Sequence, residues 1–171
     1  MIKQLIATSR PLTSVFAAIL TVVGFRFFHP VPVVLTALSA LAFAGITASI
    51  MSFNDYVDRH HDRKKGKNFA SENTQEFTRY WGMLSGATAL ILVAVSVINP
   101  LSGIFCFGVW IVGLFYSFVP HWYLVQNLIV AICSGSPVLV GMINNGHVAG
   151  SPLWIFGAFV FIVFCREVCK D

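Results

Sequence analysis

The residue types best suited to chemistry form one acidic run, Asn54-Asp55-x-x-Asp58-x-x-x-Asp62. If a helix continues through the run, its three carboxylates stand at i, i+3 and i+7 on one face. Stacked like charges repel one another unless a cation lies among them. Hard oxygen ligands favour Mg²⁺, which keeps some of its waters and also binds substrate phosphates. The run therefore predicts a magnesium site that strengthens when a diphosphate is present.

Two further charged groups accompany this run. Basic residues placed to hold an anion follow it directly: Arg59, Arg63, Lys64, Lys65 and Lys67. At the other end of the chain, Glu167 and Asp171 are four residues apart and share a helix face. Alone, that pair is better explained as a helix-end cluster in which Glu167 pairs with Lys170. It becomes a metal-ligand candidate only if both acidic groups lie on the same side of the protein.

The elements that position these residues must be membrane helices. The chain has 171 residues, of which 57% are hydrophobic and only 11% charged, whereas a soluble domain carries roughly 25% charged residues. The pI near 9.0 does not indicate nucleic-acid binding, because the basic residues flank apolar segments as a topology signal does. Four cysteines without a C-x-x-C pair argue against a thiolate metal site.

Hydropathy and helix breakers predict six membrane spans. A span needs about 20 mostly apolar residues, and no Asp, Glu, Lys or Arg occurs between Tyr80 and Cys165. This uncharged stretch is divided by helix breakers at Asn99-Pro100, at Pro120-His121 and in the glycine-containing stretch 144–152. The predicted spans are Leu12–Phe28, Val31–Phe53, Trp81–Ile98, Leu101–Phe118, Trp122–Met142 and Pro152–Arg166.

With six spans, every second loop lies on the same face as the N-terminus. All seven acidic residues then fall on that face, and so do ten of the eleven basic residues, Arg26 being the exception. Short loops rich in Lys and Arg remain in the cytoplasm, so we expect this face to be cytoplasmic. The two acidic groups would thus converge above one apolar bundle.

In its acidic run, the sequence resembles the UbiA prenyltransferase superfamily. The first signature of that superfamily is matched by Asn54, Asp55, Asp58 and Asp62. Arg10-Pro11 is similar to the family's R-P opening, and Tyr116-Ser117 followed by Asn127 to its Y-S…N pattern. The ending R-E-V-C-K-D resembles the start of the second acidic motif. This variant is most similar to the branch that joins geranylgeranyl groups to a glycerol-phosphate lipid.

The resemblance implies an all-α polytopic membrane bundle whose six visible helices correspond to the first six of nine, so we expect one domain, truncated at its C-terminus. It implies an Mg²⁺-dependent prenyltransferase in which Asp55, Asp58 and Asp62 are catalytic and bind metal together with Glu167 and Asp171. The residues expected to hold the diphosphate are Asn54, Arg10, Tyr116, Lys64, Lys67 and His121. His121 stands where the family usually has Lys.

The implied reaction ionises a prenyl diphosphate beside Tyr116 and Tyr56, and an acceptor captures the allylic cation. Geranylgeranylglycerol phosphate is the favoured acceptor, with an aromatic acceptor such as 4-hydroxybenzoate as the alternative. A divalent-cation transporter would need acids within the spans, and none occurs between Tyr80 and Cys165. A CDP-alcohol phosphotransferase would need a D-G-x-x-A-R run, which the chain lacks. An inactive remnant also stays open.

Overall fold

A computed structural model describes residues 2–28, 31–59, 73–118, 123–144 and 151–169 of the chain. These residues form seven helices, and no strand occurs among them. The helices are α1 Ile2–Thr8, α2 Pro11–Phe28, α3 Val33–Val57, α4 Thr74–Ile98, α5 Pro100–Tyr116, α6 Tyr123–Asn144 and α7 Ser151–Val168. Helices α2 to α7 correspond to the six predicted spans, and the all-α class is confirmed.

Two helices extend at least four residues further than predicted, both toward the charged residues. Helix α3 continues past Phe53 to Val57, and Asp58 caps it by donating its backbone N–H to the carbonyl oxygen of Asn54. Helix α4 begins at Thr74 rather than Trp81, because its first turn buries Phe77 fully against Leu5. Packing therefore orders polar residues that hydropathy alone assigns to a loop.

The helices and the outer surface of the bundle are apolar enough to lie in lipid. Helices α3 and α4 and residues 124–141 of α6 are long and apolar enough to cross a membrane, and the apolar parts of α2, α5 and α7 are shorter. On the outer surface, Met83, Leu90, Val97 and Trp154 are each at least 70% exposed. So much exposed apolar surface is stable only where lipid takes the place of water. The protein is an integral membrane protein.

Four helices form a closed ring in which α2 packs on α3, α3 on α5, α5 on α6, and α6 back on α2. Helix α4 packs outside this ring against α3 and α5, and α7 packs outside it against α6. Fully buried core side chains lie between these helices: Phe25, Phe43, Ile46, Leu92, Val95, Cys106 and Val140.

Two glycines allow α2 and α6 to pack closely against each other, which completes the ring of four helices. A Cβ atom added to Gly24 would lie 2.8 Å from the carbonyl oxygen of Val138, and one added to Gly141 would meet the backbone of Gly24. Small residues allow membrane helices to approach at backbone distance, where dispersion contacts hold them. Because both glycines lie near the C-terminal ends of their helices, α2 and α6 run in the same direction.

A polar network inside the bundle joins α3, α4 and α5 through Ser49. The indole N–H of Trp110 donates to the Ser49 hydroxyl at 3.1 Å, and the Ser85 hydroxyl lies 3.0 Å from the same oxygen. The indole N–H of Trp81 donates to the Ser49 carbonyl at 3.2 Å. Side chains from two neighbouring helices thus fix the rotation of α3, and with it the direction in which its last turn faces.

Candidate active site

A cavity of about 270 Å³ opens at the end of the bundle that carries the acidic run. Its mouth contains Arg10, which precedes α2, Asn54 from the last turn of α3, and Tyr116, the last residue of α5. The sequence predicted all three as diphosphate-binding residues, and the structure brings them together. Their side chains supply a cation, an amide and a phenol to one opening.

Below the mouth the cavity is largely apolar. Helices α2, α3, α6 and α7 contribute its hydrocarbon walls, which include Phe16, Leu20, Ile50, Ile129 and Phe159. The helices also leave a few small polar groups there, such as Thr47 and Ser134. A pocket with a charged rim and an apolar interior accommodates an amphiphile with an anionic head and a hydrocarbon tail.

The first carboxylate of the run pairs with Arg10. The guanidinium Nη2 atom of Arg10 lies 3.8 Å from Oδ1 of Asp55, and the two side chains are 53% and 27% exposed. Arg10 adopts φ 45°, in the left-handed region that L-residues rarely occupy, between α1 and α2. Helix α1 supports this turn, because the hydroxyl groups of Thr8 and Ser52 lie 3.4 Å apart. The strained backbone conformation of Arg10 thus places its guanidinium group beside Asp55.

The second carboxylate is held by Asn54. The amide Nδ2 of Asn54 donates to Oδ2 of Asp58 at 2.9 Å, one helical turn further along the chain. Since Asn54 also lines the cavity, this bond ties the orientation of Asp58 to the cavity mouth. The Asn54–Asp58 spacing in the run therefore has a direct structural reason.

Tyr56 lies on another side of α3. The Arg59 guanidinium lies 4.1 Å from the centre of its ring, and the Phe77 ring stacks against it at 6.1 Å. Two residues of helix turn the chain by about 200°, so Tyr56 faces away from Asn54 and toward α4. Tyr56 is not among the cavity residues, whereas Tyr116 is. Of the two tyrosines expected beside the allylic cation, only Tyr116 lines the cavity, and its role there stays a prediction.

Several predicted site residues lie outside the described part of the chain. These are Asp62, Lys64, Lys67, His121 and Asp171. The backbone of Glu167 belongs to the last turn of α7, four positions after Val163, which lines the cavity. The predicted convergence of the two acidic groups therefore stays a prediction.

Of the predicted metal ligands, only Asp55 and Asp58 have side chains that the structure describes. Among the described residues no group of three or more His, Cys, Asp or Glu side chains is placed to hold a metal ion. The donors present, two carboxylates beside the side-chain amide of Asn54, are the hard oxygen type that Mg²⁺ prefers. The chemistry of these donors fits the predicted ion, and the complete ligand set remains a prediction.

Most residues of the cavity wall were not predicted from the sequence. Thr47, Ile50, Met51 and Asn54 all line the cavity and recur at the three- and four-residue spacing of one helix face. Starting from Asn54 and counting back along α3 would have found them. On α6, counting forward from Asn127 by three and seven residues would likewise have found Val130 and Ser134.

The chain was compared with known protein families, curated proteins and solved structures. The UbiA prenyltransferase family model matches residues 12–170. No curated protein and no solved structure matches the chain. The family match covers every apolar helix from α2 to α7 and the acidic run at the cavity mouth. Members of this family are prenyltransferases that generally use a divalent metal. The chain belongs to the UbiA prenyltransferase family.

Proposed function

We propose that this protein transfers a prenyl group from a prenyl diphosphate to a lipid or aromatic acceptor. The observation that carries the proposal is a single cavity with a charged mouth and an apolar interior, lined at its mouth by Arg10, Asn54 and Tyr116. A prenyl diphosphate has the same distribution of charge, with an anionic head on a hydrocarbon chain. Its tail is soluble only in lipid, which explains why the site lies inside a membrane bundle.

The mouth is suited to binding and releasing the diphosphate. Asp55 and Asp58, with Asp62, Glu167 and Asp171 as further predicted ligands, would hold Mg²⁺. The bound ion would supply positive charge that neutralises the diphosphate leaving group. Asn54 fixes the orientation of Asp58 through its 2.9 Å hydrogen bond. Arg10 contributes a guanidinium for the phosphate oxygens, and Lys64, Lys67 and His121 are proposed to add further contacts.

The wall of the cavity favours transfer over hydrolysis. As the allylic C–O bond breaks, positive charge develops on the prenyl carbon, and the ring of Tyr116, which lines the cavity, would stabilise that charge through a cation–π interaction. Phe16, Leu20 and Phe159 keep the chain away from water, which would otherwise capture the cation. The acceptor then reaches the cation before a water molecule does.

We propose geranylgeranylglycerol phosphate as the acceptor, because the chain ends in the R-E-V-C-K-D variant of the second motif. An aromatic acceptor such as 4-hydroxybenzoate is the alternative. We also propose that the mouth faces the cytoplasm, since ten of the eleven Lys and Arg residues lie on that side of the predicted topology. A divalent-cation transporter is disfavoured because, among the residues that the structure describes, no carboxylate side chain lines the cavity.

The proposal is tested by incubating membranes that contain the protein with labelled geranylgeranyl diphosphate, Mg²⁺ and each acceptor. Asp55→Ala and Asp58→Ala should each abolish product formation while the protein still inserts into the membrane. Gln75→Ala removes an exposed polar side chain from the first turn of α4 and should leave the rate within about twofold, since Gln75 does not line the cavity. Full product formation by either aspartate variant, or transport of labelled Mg²⁺ by the wild type, would contradict the proposal.

A further inference from the structure

The ion pair between Arg10 and Asp55 joins a residue of the cavity mouth to a predicted metal ligand. The Nη2 atom of Arg10 lies 3.8 Å from the Oδ1 atom of Asp55, and Arg10 also lines the cavity. One guanidinium group thus borders both the carboxylate and the opening that an anionic head group would enter. Because the contact is long and both side chains are partly exposed, separating them costs little free energy.

The turn between α1 and α2 determines where Arg10 lies. Arg10 has φ 45°, a left-handed conformation that persists only where the surrounding structure holds it. The buried hydroxyl group of Ser14 provides support, because it donates to the carbonyl oxygens of Ser9 at 3.0 Å and of Arg10 at 3.4 Å. Helix α1 is anchored at Leu5, which packs against Phe77. The backbone of Arg10 is therefore held in place, and an exchange of partners involves its side chain alone.

A guanidinium group and a metal ion at Asp55 carry charge of the same sign. A metal ion that binds Asp55 without an anion must displace Arg10 and then lies close to the displaced guanidinium group, which repels it. A diphosphate removes this repulsion, because its oxygens accept charge-assisted hydrogen bonds from guanidinium. The cost of moving Arg10 is thus offset only when the anion is present.

We propose that Arg10 competes with the metal ion for Asp55 and exchanges Asp55 for the diphosphate when both ligands bind. The inference rests on the proposed function, because it takes the cavity mouth to be the diphosphate site. In this role Arg10 lowers the affinity for the metal alone and raises the affinity for the anion once the metal holds Asp55. By thermodynamic linkage, the diphosphate tightens metal binding by the same factor as the metal tightens diphosphate binding.

The first test is titration of the protein in phosphatidylcholine nanodiscs with Mn²⁺ alone, whose EPR signal distinguishes free from bound ion. Arg10→Gln should bind Mn²⁺ about 2- to 5-fold more tightly than wild type, the range that corresponds to the loss of an exposed ion pair. Arg10→Lys keeps the charge and should bind Mn²⁺ with nearly wild-type affinity. In an Asp55→Asn background, Arg10→Gln should give no further gain, because the two residues act as one pair.

The second test uses preformed magnesium pyrophosphate as the probe, for which the sign of the effect reverses. Arg10→Gln should bind this complex about 2- to 5-fold more weakly than wild type, since the guanidinium group then contacts the anion.

The matched control is Arg79→Gln, which removes an exposed cation of α4 that forms no ion pair with the described residues. At about 0.15 M salt, where distant charges are screened, it should leave the affinity for Mn²⁺ unchanged. Equal gains for Arg10→Gln and Arg79→Gln would overturn the exchange. Weaker Mn²⁺ binding by Arg10→Gln would also overturn it, because Arg10 would then only orient Asp55 for the metal. If magnesium pyrophosphate binds none of these proteins, the proposed function falls as well; if wild type binds it, only the exchange falls.

Discussion

Removing the Ser49 hydroxyl should destabilise the bundle by an amount that the structure allows us to estimate. The hydroxyl accepts from Trp110 at 3.1 Å and contacts Ser85 at 3.0 Å, and Ser49 is fully buried. Ser49→Ala deletes both contacts and leaves the Trp110 indole N–H unpaired. Hydrogen bonds between membrane helices contribute roughly 0.6 kcal/mol each, and an unsatisfied buried donor costs about 1–3 kcal/mol. The free energy of unfolding should therefore fall by about 1–3 kcal/mol.

The matched control is Ser39→Ala, ten residues earlier on the same helix. Ser39 is also fully buried, but its hydroxyl has no hydrogen-bond partner among the described residues. Removing it should leave the free energy of unfolding unchanged or raise it by up to about 1 kcal/mol. Both variants are measured by equilibrium unfolding in mixed detergent micelles. Equal losses for the two variants would refute the assignment of Ser49 as the group that joins α3, α4 and α5.

Three further predictions concern the site and the ring that encloses it. Arg10→Gln should raise the KM for geranylgeranyl diphosphate about fivefold, a modest effect because Arg10 is half exposed; an unchanged KM in steady-state assays would exclude phosphate contact. Gly141→Leu should lower the free energy of unfolding by about 1–3 kcal/mol, because its side chain would enter the backbone of Gly24; a stability equal to wild type in detergent unfolding would refute that contact. Chelation by EDTA should abolish product formation and added Mg²⁺ restore it, whereas a rate insensitive to EDTA would contradict the metal requirement.

The number and order of the membrane helices α2 to α7 were predictable from the sequence, whereas the short helix α1 was not predicted. The sequence has six apolar stretches, separated by Asn-Pro, Pro-His and glycine-rich breakers. In a bilayer each such stretch forms a helix, because its backbone polar groups must be hydrogen-bonded within the helix. The acidic run was also recognisable, because Asp55 and Asp58 at the end of a membrane helix are costly without a functional partner. Helix α3 continues to Val57 and Asp58 caps it, whereas the expected place of Asp62 on the same face stays a prediction.

The rotation of each helix was not predictable in the same way. A helix that is apolar on every side has no periodic pattern that identifies its buried face. In this bundle, rotation depends on pairwise contacts such as Gly24 with Gly141 and Ser49 with Trp110. For that reason the sequence did not distinguish Tyr56 from Tyr116, although Tyr56 packs against Phe77 and Arg59 in the structure.

Photo-crosslinking with a geranylgeranyl diphosphate that carries a diazirine near the middle of its chain tests most directly where the substrate binds. If the tail enters the cavity, mass spectrometry should find adducts on wall residues such as Phe16, Ile50 and Phe159, and excess unlabelled diphosphate should suppress them. Asp58→Ala should reduce the same adducts. Labelling confined to lipid-facing residues such as Leu90 and Val97, with no suppression by unlabelled diphosphate, would contradict the account.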